Sequence, residues 1–173
     1  IDPEVEFVSG HPMAGREKKG YGYASKEVFK NANYILIEHP VNQKECISFM
    51  ERFVGTLGFK SVKIMSPQAH DEIISFTSQL PHAIAVSLIN SDNEKYETGK
   101  YIGDSYRDLT RIANINENLW SELFLRNSDY LLASIEAFEE QLDLIKVALK
   151  DNDERLLKDL FIKSSLRREK LEK

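Results

Sequence analysis

Cysteine is almost absent from this 173-residue chain: Cys46 stands alone, so no internal disulfide can form. A lone thiol fits a reducing cytoplasm better than a secreted, cross-linked scaffold. Long apolar runs are missing as well. No stretch approaches the roughly 20 apolar residues of a membrane span, and no signal peptide is visible behind Ile1-Asp2-Pro3, where an initiator methionine is also lacking. Neither a G-x-G-x-x-G turn nor a Walker loop occurs, which excludes a self-contained nucleotide phosphate cradle of those types. No Cys/His cluster has zinc spacing, so no metal is expected, and no Gly-x-Ser-x-Gly elbow is present. Charge of one sign is also lacking. The formal net charge is -5, with lysines and arginines interspersed among acids. The most basic stretch, Leu166 to Lys170, is interrupted by Glu169 and followed by Glu172, as in a solvated helix end, so no nucleic-acid partner is expected.

What remains is ordinary globular composition, 42% hydrophobic and 29% charged. The length suits one domain, or a small domain attached to part of another. Val5 to Ser9 is a β-prone run closed by Gly10 and Pro12, which predicts a buried strand ending in a loop. Asn33 to Glu38 predicts a second strand, stopped by His39-Pro40. Between Asn42 and Leu57, the residues Cys46, Phe49, Met50, Phe53 and Leu57 fall on one helical face, and Gly58 ends the helix. Phe59 to Met65 alternates like a strand. Three strands around one helix suggest the rim of an α/β domain.

From Ser66 onward the pattern is helical, and a domain boundary is placed near residues 64 to 67. Ser66-Pro67 fits an N-cap followed by the first helical position. The run through Ile74, Leu80, Ala83, Ala85 and Leu88 is apolar on most sides, which predicts burial, and Pro81 should kink or split the helix. Residues 90 to 105 read as a loop. Leu131, Ile135, Phe138, Leu142, Ile145 and Leu149 then step by four, three, four, three and four along one long helix. Asp151-Asn152-Asp153 supplies a turn, so a last helix from about Glu154 should form an antiparallel hairpin with it.

Four histidines are present, a residue type suited to proton and hydrogen-bond chemistry near neutral pH. His11 lies past the first predicted strand, where loops at strand ends gather ligands; a turn histidine bonded to backbone is the other reading. His39, before Pro40, reads as a surface turn residue. His82 follows Leu80-Pro81 in the most apolar region, where an imidazole must be neutral or paired; a satisfied core histidine and a site histidine fit equally. His70 and Asp71 most simply complement a helix N-terminus through the carboxylate. Arg111, in the sequence DLTRIA, has apolar neighbours that should draw it inward, where it needs either Asp108 or an anionic ligand. Trp120 reads as core, with a site wall as the alternative. Cys46 reads as packing instead of a nucleophile.

Four words of sequence occur in order: GHPMAG (Gly10 to Gly15), SPQAHD (Ser66 to Asp71), QLPHAIA (Gln79 to Ala85) and YRDLTRIA (Tyr106 to Ala113), followed by Trp120. Together they resemble the prephenate dehydrogenase family over nearly the whole chain. The resemblance implies a mostly α chain: the α/β edge of a Rossmann-type domain, residues 1 to 64 and incomplete, followed by an all-α helical dimerisation and substrate-binding domain, residues 65 to 173. It also implies a homodimer, with NAD or NADP as cofactor held through a glycine fingerprint upstream of this chain. The implied reaction is oxidative decarboxylation of prephenate to 4-hydroxyphenylpyruvate in tyrosine biosynthesis, with hydride transfer to the nicotinamide.

By the same resemblance His11 is the catalytic residue, accepting a hydrogen bond from the ring hydroxyl. Arg111 holds a substrate carboxylate, and His82 and Trp120 belong to the substrate pocket. Two positions depart from the family pattern. Arg16 replaces a small hydroxyl residue and Gln79 replaces a second histidine, which leaves prephenate and arogenate open as substrates. An arogenate dehydrogenase, an inactive helical dimerisation module and another two-domain hydroxy-acid dehydrogenase are the competing readings.

Overall fold

The computed structural model describes residues 5–15 and 20–171. Arg16, the charged departure from the family pattern, and Glu172 in the basic tail lie outside the described residues. Three strands form one sheet in the order β1 (Ser9–Pro12), β2 (Asn33–Ile37), β3 (Ser61–Met65). β1 runs antiparallel to β2 and β2 parallel to β3, with α1 (Lys44–Gly55) as the crossover between the parallel pair. Ile35 and Leu36 point to opposite faces of β2 and both are buried, so the sheet is covered on both sides at its middle strand. Ile47 and Val54 of α1 fill the same core.

The first strand is not where sequence placed it. Val5 to Val8 form no ladder, and Val5 and Phe7 are exposed. The backbone there is held by side chains instead: Asn42 Nδ2 donates to the Phe7 carbonyl at 2.9 Å. Glu6 Oε1 accepts from Gln43 N at 2.8 Å, at the N-cap of α1, and from Asn42 Nδ2 at 3.1 Å. Pairing begins at Ser9 because β2 offers its free edge there, and Pro12, which has no N–H, is tolerated on an edge strand. Gly10 is required by contact and not by backbone conformation. A Cβ at this position would lie 2.2 Å from the Tyr34 hydroxyl and 2.6 Å from two of its ring carbons.

The remaining elements are helices: α2 (Pro67–Ile74), α3 (Leu80–Asn90), α4 (Asp104–Thr110), α5 (Glu117–Arg126), α6 (Ser128–Lys150) and α7 (Glu154–Leu171). The helix start at Ser66 is as expected: its Oγ accepts from Ala69 N at 3.2 Å, and Pro67 opens the first turn. Gly58 takes φ +86° in the turn after α1, a conformation that costs glycine little. The turn after α6 contains Asn152 at φ 50°, and Asp153 Oδ1 accepts from Leu156 N at 2.9 Å, so α6 and α7 pack as the expected hairpin.

Pro81 neither splits nor ends its helix. A π turn, Ser75–Gln79, joins α2 to α3 without interruption. Widening the turn accommodates the missing proline N–H, and side chains take up nearby carbonyls. Ser75 Oγ donates to Glu72 O, Thr77 Oγ1 to Ile73 O, and His82 Nδ1 to Ser78 O. The expected all-round burial is not found either. Ile74, Leu80 and Ala85 are buried, but Ile73, Phe76 and Ile89 are exposed, because the other described elements cover only one side of this rod.

Candidate active site

His11 sits inside β1 and not in the loop beyond it, opposite Ile35. The Gly10–Tyr34 contact and the continuing bond from Met13 N to Asn33 O, 2.8 Å, keep this short edge segment flat on β2. Its ring meets α2: His11 Nδ1 lies 2.9 Å from His70 Nε2. His70 Nδ1 in turn lies 2.8 Å from Asp71 Oδ1. Burial, and then the neighbouring His70, hold the His11 imidazole below its usual pKa, so the neutral ring is favoured. His70 and Asp71 were read from sequence as a helix-terminus feature; here they are the contact between α2 and the strand. The available signal was that SPQAHD opens a helix directly after a β-strand of the same sheet.

A second cluster lies further along the same helical rod. His82 and Trp120 stack with centroids 3.7 Å apart and planes at 28°, and Trp120 meets Phe124 edge-on at 5.7 Å. A carbonyl can only accept, so the bond to Ser78 O fixes the hydrogen of a neutral His82 on Nδ1. Trp120 is half-buried and joins α5 to α3 through this stack instead of filling the core. Twelve residues separate His70 from His82, which puts their backbone positions roughly 18 Å apart along the helix axis.

Arg111 opens a short 3-10 turn, Arg111–Ala113, which packs against α3. Arg111 is exposed and not drawn inward, whereas Ile112 and Ala113 beside it are partly covered. Gln79 is buried, and its amide is committed to structure. Its Nε2 donates to Leu123 O at 3.1 Å and its Oε1 accepts from Asn127 Nδ2 at 2.9 Å, which ties the π turn to the junction of α5 and α6. His39 is exposed in its turn. The Glu6 carboxylate accepts from the Cys46 thiol and holds its pKa above the usual range, so this sulfur is a poor nucleophile. Among the described residues no group of three or more His, Cys, Asp or Glu could hold a metal ion, and no helix is long and apolar enough to cross a membrane.

Comparison with known proteins places this geometry in a family. Residues 66–163 match the prephenate dehydrogenase dimerization domain and residues 1–63 match the prephenate dehydrogenase nucleotide-binding domain. The chain belongs to the prephenate dehydrogenase family. It is 31% identical over 157 residues to the prephenate dehydrogenase of Bacillus subtilis (strain 168), an alignment covering 88% of this chain and 42% of that protein. It superposes on the prephenate dehydrogenase from A. aeolicus, solved in complex with hydroxyphenyl propionate and NAD+, with a TM-score of 0.81 and 32% identity, covering 94% of this chain and 58% of that one. Synechocystis arogenate dehydrogenase shares the fold, with a TM-score of 0.82 at 24% identity over 95% of this chain and 61% of that one. The chain spans about half the length of the curated relatives it matches, 42% to 57%.

Proposed function

We propose that this chain supplies the substrate-binding and dimer-forming part of a prephenate dehydrogenase, acting in tyrosine biosynthesis in the cytoplasm. Residues 1 to 64 complete a nucleotide-binding domain and residues 65 to 173 form the helical domain. The separate matches over 1–63 and 66–163 support this division. The observation that carries the reading is His11, a half-buried imidazole biased toward its neutral form and held by a second histidine on a neighbouring element. Such a group accepts a hydrogen bond from a substrate hydroxyl and withdraws the proton as the carbonyl forms. Arg111, exposed at the start of its turn, presents a planar fork suited to a substrate carboxylate. His82 and Trp120 form a flat aromatic wall against which a six-membered ring can lie.

The residues present do not make a complete dinucleotide site. They include a three-stranded rim and no glycine-rich phosphate turn. NAD or NADP would be held chiefly by residues that this chain does not contain, and when bound would supply the hydride acceptor. The chain alone is therefore inactive in this reading. A homodimer is supported by the match to a dimerization domain and by exposed Leu142, Leu149, Phe161 and Ile162 on α6 and α7.

The test is dinucleotide reduction with prephenate or arogenate, using the chain alone and the enzyme extended to the length of its relatives. Turnover of prephenate only in the extended enzyme, with KM raised at least about tenfold by Arg111→Lys, is expected, because an ammonium cannot reproduce a two-pronged carboxylate contact. Preference for arogenate would reassign the substrate. Turnover of neither would overturn the reading.

A further inference from the structure

A line of polar groups runs from solvent to the catalytic imidazole. The Asp71 side chain is 52% exposed and that of His70 only 16%. Asp71 Oδ1 meets His70 Nδ1 at 2.8 Å, and His70 Nε2 meets His11 Nδ1 at 2.9 Å. The two rings are tilted at 57° with centroids 5.2 Å apart, so they meet through nitrogens and not through faces. A carboxylate has no hydrogen to give, so His70 donates from Nδ1. A neutral imidazole carries one N–H, so His70 Nε2 accepts and His11 donates to it from Nδ1. That leaves the lone pair of His11 on Nε2, the nitrogen on the other side of its ring.

We propose that Asp71 and His70 are positioning residues that lock His11 into its Nδ1–H tautomer, so that its Nε2 is held as a hydrogen-bond acceptor for the substrate hydroxyl. The proposal rests on the reading above only for the identity of that hydroxyl. Without Asp71, His70 could carry its hydrogen on Nε2 and donate to His11 Nδ1. His11 would then hold its hydrogen on Nε2, a donor facing a donor. One carboxylate at the start of α2 thus decides the direction of both bonds, as a buried carboxylate does for the histidine of a serine-protease triad. The burial that disfavours a proton on His11 supports the neutral ring this requires.

The tautomers are read directly by two-bond 1H–15N correlation spectra of the 15N-histidine-labelled chain, without substrate or dinucleotide, with signals assigned through His11→Asn and His70→Asn. Hydrogen on Nδ1 of both His11 and His70 is expected. In Asp71→Ala the His11 signals should move toward the Nε2–H pattern, whereas Asp71→Asn, whose amide oxygen still accepts, should keep the original one. In the extended enzyme Asp71→Ala should lower kcat at least about tenfold with little change in KM, and Asp71→Asn should restore most of it. A wild-type His11 with its hydrogen on Nε2 overturns the proposal, even if the alanine variant fails to fold. An unmoved His11 pattern in a folded Asp71→Ala protein also overturns it, as does an alanine variant with unchanged kcat. Failure of the dehydrogenase reading would look different: no turnover of prephenate, with the tautomer pattern intact.

Discussion

Replacing Gly10 by alanine tests how the strand that carries His11 is held. In an ordinary strand the substitution would stabilise by about 0.5–1 kcal/mol, because alanine loses less backbone entropy on folding. Here the new Cβ would stand 2.2 Å from the Tyr34 hydroxyl and 2.6 Å from two ring carbons, so the ring must move as a whole. Forcing extra volume into a packed contact costs about 1–3 kcal/mol. The displaced ring also gives up its edge contact with Phe59, whose centroid is 5.0 Å away and which is worth about 0.5–1.5 kcal/mol. The net expectation is a loss of about 1–3 kcal/mol. At about 2–4 °C per kcal/mol for a chain of this size, that lowers Tm by roughly 2–12 °C. Thermal unfolding of Gly10→Ala, Tyr34→Ala and the double variant forms a complete cycle. In the Tyr34→Ala background the glycine replacement should cost nothing. An equal cost in both backgrounds, or a Gly10→Ala protein as stable as the original, would refute the steric argument.

Three further outcomes follow from the same geometry. His11 has its folded pKa lowered by burial and by His70, so the unfolded chain takes up this proton first as pH falls. The stabilising contribution is complete above the ordinary histidine value of ~6.5 and is lost on acidification through the folded value. Denaturant titrations at successive pH values should show a shallower acid loss for His11→Asn than for the original protein. Ser66→Ala removes the cap bond to Ala69 N and should cost about 1 kcal/mol by the same titrations at neutral pH; no measurable loss would mean that the cap is not stabilising. In a sedimentation dilution series the chain should run at twice its 19.9 kDa mass, and a monomer at micromolar concentration would contradict the dimer.

Features set by neighbouring residues were legible in the sequence. The start at Ser66-Pro67, the turn at Gly58 and the hairpin through Asp151-Asn152-Asp153 each depend on a cap, a left-handed turn or a missing N–H within a few positions. Features set by distant partners were not. VEFVS has better strand chemistry than SGHP, yet SGHP forms the strand because β2 lies beside it while Asn42 and Glu6 occupy the preceding segment. Pro81 signals disruption, but the Ser75 and Thr77 hydroxyls bond to Glu72 O and Ile73 O and make a π turn workable. Arg111 was placed inward from its apolar neighbours, although adjacent residues in a helical turn face different directions. The motifs named His11, His82 and Trp120, and the structure joins the last two directly. The contact of His11 with His70 spans 59 positions and has no local periodicity to announce it.

The central claim is that His11 serves as a neutral hydrogen-bond acceptor, and the pH dependence of kcat in the extended enzyme tests it most directly. Turnover should fall on the acid side as the imidazole gains a proton, with the limb below the ordinary histidine value of ~6.5 because burial and His70 oppose that proton. In His11→Asn, whose amide oxygen can accept but does not titrate, turnover should drop and the limb should vanish while the thermal unfolding temperature stays close to that of the original. A folded His11→Asn enzyme that keeps both full turnover and the acid limb would contradict the account.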